Sequence, residues 1–139
     1  MGWIKYKYSC QFDQATSALR CEDPLVEVEL SYGGKTIKVL GLIDSGCQKT
    51  NINADVARYF GIDLKKCGPI KITSAVGVAT GYESSVGMKL KDLGSEFKSP
   101  VTFLENLPIP VLLGQNNFFE TFDVKFEKRN NTFELKRAN

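Results

Sequence analysis

The stretch Leu25-Val26-Glu27-Val28-Glu29-Leu30 alternates with period two, and it constrains the fold more than any other segment. Such alternation puts one set of side chains against a core and the other set in water, so it predicts a half-buried strand. Tyr32-Gly33-Gly34-Lys35 follows as a turn, with glycines where positive φ is needed. Thr36 to Ile43 is largely β-branched and apolar and reads as the return strand. This predicted hairpin runs directly into Asp44-Ser45-Gly46.

The rest of the chain continues in the same mode. A short strand is expected at Thr50-Asn51-Ile52. Asn53 is then expected to cap a helix over 54–60, with Gly61 as its stop and Val56, Tyr59 and Phe60 as its apolar face. Residues 70–90 read as a long hairpin whose tip, 74–81, is built of small residues. Strands are expected at about 96–104 and at Val111-Leu112-Leu113, the latter framed by Pro108 and Pro110 and ended by Gly114. A short helix over 115–120 and a last hairpin, 122–127 with 132–135 around Asn130-Asn131, complete the reading. Phe118, Phe119, Phe122 and Phe126 are expected in the core. Asp55 suits the first helical turn, and Asp123 the last hairpin, as structural residues. Residues 1–23 are mixed in character and read as an N-terminal arm or extra strand, ahead of a single domain over 24–139. The fold class expected is mainly β with two short helices.

The composition excludes several chemistries. The chain has no histidine, which removes Ser-His and Cys-His catalysis and any mixed Cys/His metal site. Its four cysteines, Cys10, Cys21, Cys47 and Cys67, contain no C-x-x-C pair, so no metal and no cofactor is expected. Carboxylates, lysine or a bound metal are what remains for hydrolytic chemistry. The 18 basic and 16 acidic residues are intermixed, so neither nucleic acid nor a membrane is an expected partner. Met1-Gly2 opens the chain, but Tyr6 stands where a myristoylation signal needs Ser or Thr. No export signal is read at the N-terminus, so the expected location is cytoplasmic. Cys10 and Cys21 could pair in a secreted protein, but with no export signal reduced thiols are expected.

An acidic residue at the end of an apolar strand is notable, because burying an unpaired charge is costly. Taken alone, Asp-Ser-Gly reads as an ordinary turn. Its context changes that reading. Leu42-Ile43-Asp44-Ser45-Gly46-Cys47-Gln48-Lys49-Thr50 follows a hairpin and leads to a helix ending Phe60-Gly61-Ile62. A small-residue hairpin comes next, and then Val111-Leu112-Leu113-Gly114-Gln115-Asn116. In that order, over roughly residues 25–136, these elements resemble the retropepsin-like aspartic peptidases. The tail 118–126 is closer to the cellular, bacterial-type members than to the viral ones.

The resemblance implies a closed β-barrel with a flap hairpin, active as a symmetric homodimer. It implies an aspartic endopeptidase acting on a peptide or protein substrate, without metal or cofactor. Asp44 from each of two subunits would meet at a two-fold axis and share one proton. One would activate a water as general base and the other would polarise the scissile carbonyl. The chain carries one Asp-Ser-Gly, so symmetry would have to supply the second carboxylate. Ser45 would hold the two loops together across the axis, and Gly46 would hydrogen-bond the extended substrate. Val76, Gly77 and Val78 would close over the peptide, and Leu113 and Gly114 would line its path. Residues about 132–137 would lie in the dimer interface.

Departures from the family pattern carry their own expectations. Ser45 replaces the commoner threonine. Cys47 replaces the usual alanine, either as an inert small residue or as a redox brake. Gln48 and Gln115 stand where many members pair an Asp with an Arg, so an amide–amide hydrogen bond is expected to support the loop. Two other readings stay open. One is a non-catalytic peptide- or protein-binding module on the same fold, and the other is an unrelated small barrel with Asp44 in a turn.

Overall fold

The structure is a computed structural model that describes residues 2–74 and 77–139, with Ser74 described by its backbone only. It is mainly β, with two short helices and two 3-10 turns. The strands are β1 (Ile4–Lys7), β2 (Ser9–Asp13), β3 (Ala18–Asp23), β4 (Leu25–Tyr32), β5 (Lys35–Ile43), β6 (Asn51–Asn53), β7 (Gly68–Ser74), β8 (Gly77–Lys89), β9 (Phe97–Leu104), β10 (Val111–Leu113), β11 (Phe122–Glu127) and β12 (Thr132–Arg137). The helices are α1 (Ala54–Phe60) and α2 (Phe118–Thr121).

The main sheet has seven strands in the order β4-β5-β10-β6-β9-β8-β7, and β8 also pairs with β4, so the hydrogen-bonded order returns towards its start. The β4–β5 hairpin forms as the alternation predicts. Val26, Val28 and Leu30 are buried, and Gly33 and Gly34 turn the chain at φ of 56° and 82°. Two parallel pairings, β5 with β10 and β6 with β9, bring distant segments side by side. The core between the strands includes Ile43, Ile52, Val101, Phe103, Val111 and Leu113. Phe103, Phe118, Phe122 and Phe133 are fully buried, each contributing roughly 2–3 kcal/mol by removal of apolar surface from water.

Helix α1 begins and ends where expected. The Asn53 side chain accepts from the N–H of Asp55 at 2.9 Å, and Gly61 closes the helix in the left-handed region at φ 75°. Val56 and Phe60 are buried, but Tyr59 is 49% exposed and lies on the strand side of the helix, with its hydroxyl near the carbonyl of Thr36. Helix α2 starts three residues later than expected, because Gln115 and Asn116 hydrogen-bond the Asp44 loop and Asn117 serves as the N-cap. Phe126 also differs from expectation. It is 40% exposed although alternation puts it on the face of the buried Phe122, because burial on that face falls off along β11 through Val124 to the strand's far end.

A second sheet, β1-β12-β11, packs at the chain ends. Arg137 joins it to the main sheet. Its guanidinium lies over the rings of Phe97 and Phe122 and donates to the carbonyls of Leu93 and Ser95. Residues 1–23 divide in two. Ile4–Lys7 pairs with β12 and Tyr8 is buried, whereas β2 and β3 form a separate two-stranded sheet. Cys10 and Cys21 are register partners in that hairpin and are joined by a disulfide, contrary to the reduced thiols expected. Spacing alone gave no sign that the two side chains face each other across a strand pair. Among the described residues, no helix is long and apolar enough to cross a membrane.

Candidate active site

Asp44 sits immediately after β5, half-buried, in a loop held by main-chain hydrogen bonds on both sides. Its N–H donates to the carbonyl of Leu113 at 2.9 Å, which extends the parallel β5–β10 ladder by one step. Within the loop, Asp44 Oδ1 accepts from the N–H of Gly46 at 3.0 Å and the Asp44 carbonyl accepts from the N–H of Cys47 at 3.2 Å. The carboxylate is therefore oriented through one oxygen, with the other, Oδ2, unpartnered among the described residues.

The segment after β10 clamps the loop. Gln115 and Asn116 donate their N–H groups to the carbonyls of Cys47 and Gln48 at 2.8 and 2.7 Å. Gly114 donates to Thr50 Oγ1 at 3.4 Å, and a Cβ on Gly114 would lie 2.3 Å from the carbonyl oxygen of Lys49. Only a residue without a side chain allows this approach. The expected amide–amide bond between Gln48 and Gln115 does not form. Instead Gln115 Nε2 donates to the carbonyl of Ser45 at 2.7 Å, because the two backbones already meet and the side chain reaches past Gln48 to the loop apex.

A cleft of about 700 Å³ opens beside Asp44, lined on one side by Gly46, Cys47, Gln48, Lys49 and Asn51 and on the other by Ile70–Thr73 of β7. Asp44, Gly46 and Gln48 thus come together as sequence-predicted site residues. Ser45 is exposed at the loop apex. Leu113 and Gly114 are buried under the loop and so support Asp44 rather than face the cleft. Gly77, at φ 136°, and Val78, exposed on β8, lie outside the cleft lining, and Val76 falls outside the described residues. Lys49, Asn51 and Lys71 were not singled out in the sequence. Their one signal was proximity to the Asp44 loop or to the expected hairpin tip.

Cys47 is half-buried. Its thiol donates to the carbonyl of Lys49 at 3.0 Å, and Asn51 Nδ2 donates to Sγ at 3.2 Å. Burial pushes the thiol pKa up and the nearby Asp44 charge adds to this, with partial opposition from a backbone hydrogen bond at Lys49. Such a thiol is a poor nucleophile at neutral pH.

This architecture is a retropepsin-like fold. The structure of a retropepsin-like aspartic protease from Rickettsia conorii superposes with a TM-score of 0.65 at 17% identity, covering 96% of this chain and 98% of that one. EIAV protease complexed with the inhibitor HBY-793 superposes with a TM-score of 0.53 at 17% identity, over 67% of this chain and 82% of that one. No family model matches the sequence, and no curated protein does either.

Proposed function

We propose that the chain is one subunit of a homodimeric aspartic endopeptidase in which Asp44 of each subunit supplies one carboxylate. The observation that carries this reading is the Asp44 loop, which lies on the floor of an open cleft with one carboxylate oxygen fixed by Gly46 and the other unpartnered. Two such carboxylates facing each other cannot both ionise, so the pair holds one proton. The ionised member takes a proton from a water between them as it attacks the scissile carbonyl. The protonated member gives its proton to the developing oxyanion; the other, now carrying the water's proton, passes it to the leaving amine, and the first recovers its proton as the tetrahedral intermediate collapses. Ser45, exposed at the apex, is placed in this reading at the contact between the two loops, and Gly46 on the substrate backbone.

The β7–β8 hairpin, with Gly77 and Val78 near its tip, serves as the flap that closes over an extended peptide. The barrel is read as closed on the strength of the β4–β8 pairing. The dimer seam needs one adjustment. β12 is paired on both edges over Thr132–Leu135, by β1 and β11, so this stretch has no free edge to offer. A partner strand would add at β1 or β11. A domain over 24–139 remains the catalytic unit of this proposal, with β1 contributing to its outer sheet. The Cys10–Cys21 disulfide is of a kind that persists in oxidising compartments, which counts against the cytoplasmic location.

The test is incubation with a diverse peptide mixture from acidic to neutral pH, beside Asp44→Asn. Cleavage by the wild type only, blocked by a statine-type transition-state mimic, is expected. Equal cleavage by the variant would overturn the proposal.

A further inference from the structure

The Asp44 loop meets the main sheet through a sulfur atom. Cys47 Sγ donates to the carbonyl of Lys49 at 3.0 Å and accepts from Asn51 Nδ2 at 3.2 Å. The N–H of the same cysteine donates to the Asp44 carbonyl at 3.2 Å. One residue therefore links the turn that carries the carboxylate to a strand of the sheet. Asn51 is a fixed donor, because β6 is an inner strand and pairs at Asn51 with Leu112 of β10 and Thr102 of β9. It lies at the wall of the cleft and is only 9% exposed. Asn51 Oδ1 is buried and has no hydrogen-bond partner among the described residues. A buried carbonyl oxygen without a donor lowers stability, and an aliphatic side chain of similar size would avoid that loss.

The Asn51 amide is thus turned to the sulfur while its own oxygen goes unpaired. A group that lowers stability where it stands is explained when it serves the site beside it. The main-chain clamp from Gln115 and Asn116 sets where the loop runs, and the sulfur adds a finer constraint on the turn from Asp44 to Cys47. The raised pKa of the thiol keeps it protonated at neutral pH, so it retains the hydrogen that the Lys49 carbonyl accepts. We infer that Cys47 and Asn51 are positioning residues, which hold the Asp44 carboxylate at the angle the paired mechanism needs without themselves touching the reacting atoms. The inference rests on the peptidase reading of the site, and it makes a claim about the loop that can be read without turnover.

The experiment compares Asn51→Leu, Cys47→Ala, Cys47→Ser and the double variant Cys47→Ala with Asn51→Leu against the wild type. Three quantities are read: the urea midpoint, kcat and KM on a peptide that the wild type cleaves, and amide hydrogen exchange at Gly46 and Cys47 in the ligand-free protein. Asn51→Leu is expected to unfold at the wild-type midpoint or above it, yet to lower kcat about ten-fold with KM within about two-fold. Cys47→Ala leaves the Asn51 N–H without its acceptor, so its midpoint should fall. Adding Asn51→Leu should restore the midpoint and leave kcat low. Cys47→Ser keeps a small donor and acceptor and should stay within about three-fold of the wild-type kcat. In Asn51→Leu and Cys47→Ala the Cys47 N–H should exchange about five-fold faster or more. A lower midpoint for Asn51→Leu, a change confined to KM, or a serine variant no better than alanine would each overturn the positioning role. If the wild type hydrolyses no peptide while the exchange changes as expected, the positioning role stands and the peptidase reading falls. Hydrolysis with kcat and exchange both unmoved by Asn51→Leu would do the reverse.

Discussion

The main-chain N–H of Asp44 donates to the carbonyl of Leu113 at 2.9 Å, so the candidate catalytic carboxylate is positioned by a strand far along the chain. Immediately after Leu113 the chain passes so close to the loop that Gly114 nearly touches the carbonyls of Lys49 and Cys47. The loop geometry is therefore a property of two backbones in contact, with side chains in a secondary role.

Substituting Gly114 tests that contact. A Cβ there would sit 2.3 Å from Lys49 O and 2.7 Å from Cys47 O, and neither carbonyl can swing away without breaking the clamp. Gly114→Ala is expected to destabilise by about 2 kcal/mol or more and to displace Asp44. Gly68→Ala is the control, since a Cβ at Gly68 has nothing within 4 Å, and it should change stability by less than about 0.5 kcal/mol. Urea unfolding of the two variants against wild type separates the effects.

Asn53 has two roles. Its Oδ1 caps α1 through the N–H of Asp55, and its Nδ2 donates to the carbonyl of Leu107 at 2.7 Å, tying the helix start to the loop before β10. Asn53→Ala should cost about 1–2 kcal/mol, more than a surface cap alone. Asn53→Asp keeps the cap and loses the donor, so it should fall between the two in a denaturation midpoint.

The disulfide is expected to act locally. The β2–β3 hairpin is a separate sheet, attached in part by Lys128 Nζ on the carbonyl of Cys21. Replacing Cys10 and Cys21 together by serine should lower the cost of opening the hairpin by about 2–3 kcal/mol, with little change in the unfolding midpoint of the main sheet. Limited proteolysis should then cut within residues 9–23 faster than in the wild type. Cuts spread across the main sheet would contradict local action.

Cys47 gives a pH-dependent expectation. Its folded thiol has a raised pKa, so at any given pH less of it is thiolate than in the unfolded chain. Alkylation by iodoacetamide at about pH 8 should be slower in the native protein than in urea, and the difference should narrow as pH rises through the raised value. Mass spectrometry of the Cys47 peptide distinguishes it from Cys67, the other free cysteine. A native thiol that reacts faster than the unfolded one would revive the redox brake.

Much of the fold was legible because it rests on local pattern. The alternation of Leu25–Leu30, the paired glycines at 33 and 34, and the Asn53 and Gly61 boundaries of α1 each follow from the chemistry of a few adjacent residues. The order of motifs around Asp44 pointed to the same fold and to the same half-buried carboxylate. Contacts between segments were not legible. That Cys10 and Cys21 do pair, and that Gln115 reaches Ser45, depend on register and strand order, which no short window of sequence encodes. The burial of Leu113 and Gly114 has the same cause. A parallel neighbour on β5 turned those residues inward, and only long-range packing could decide that.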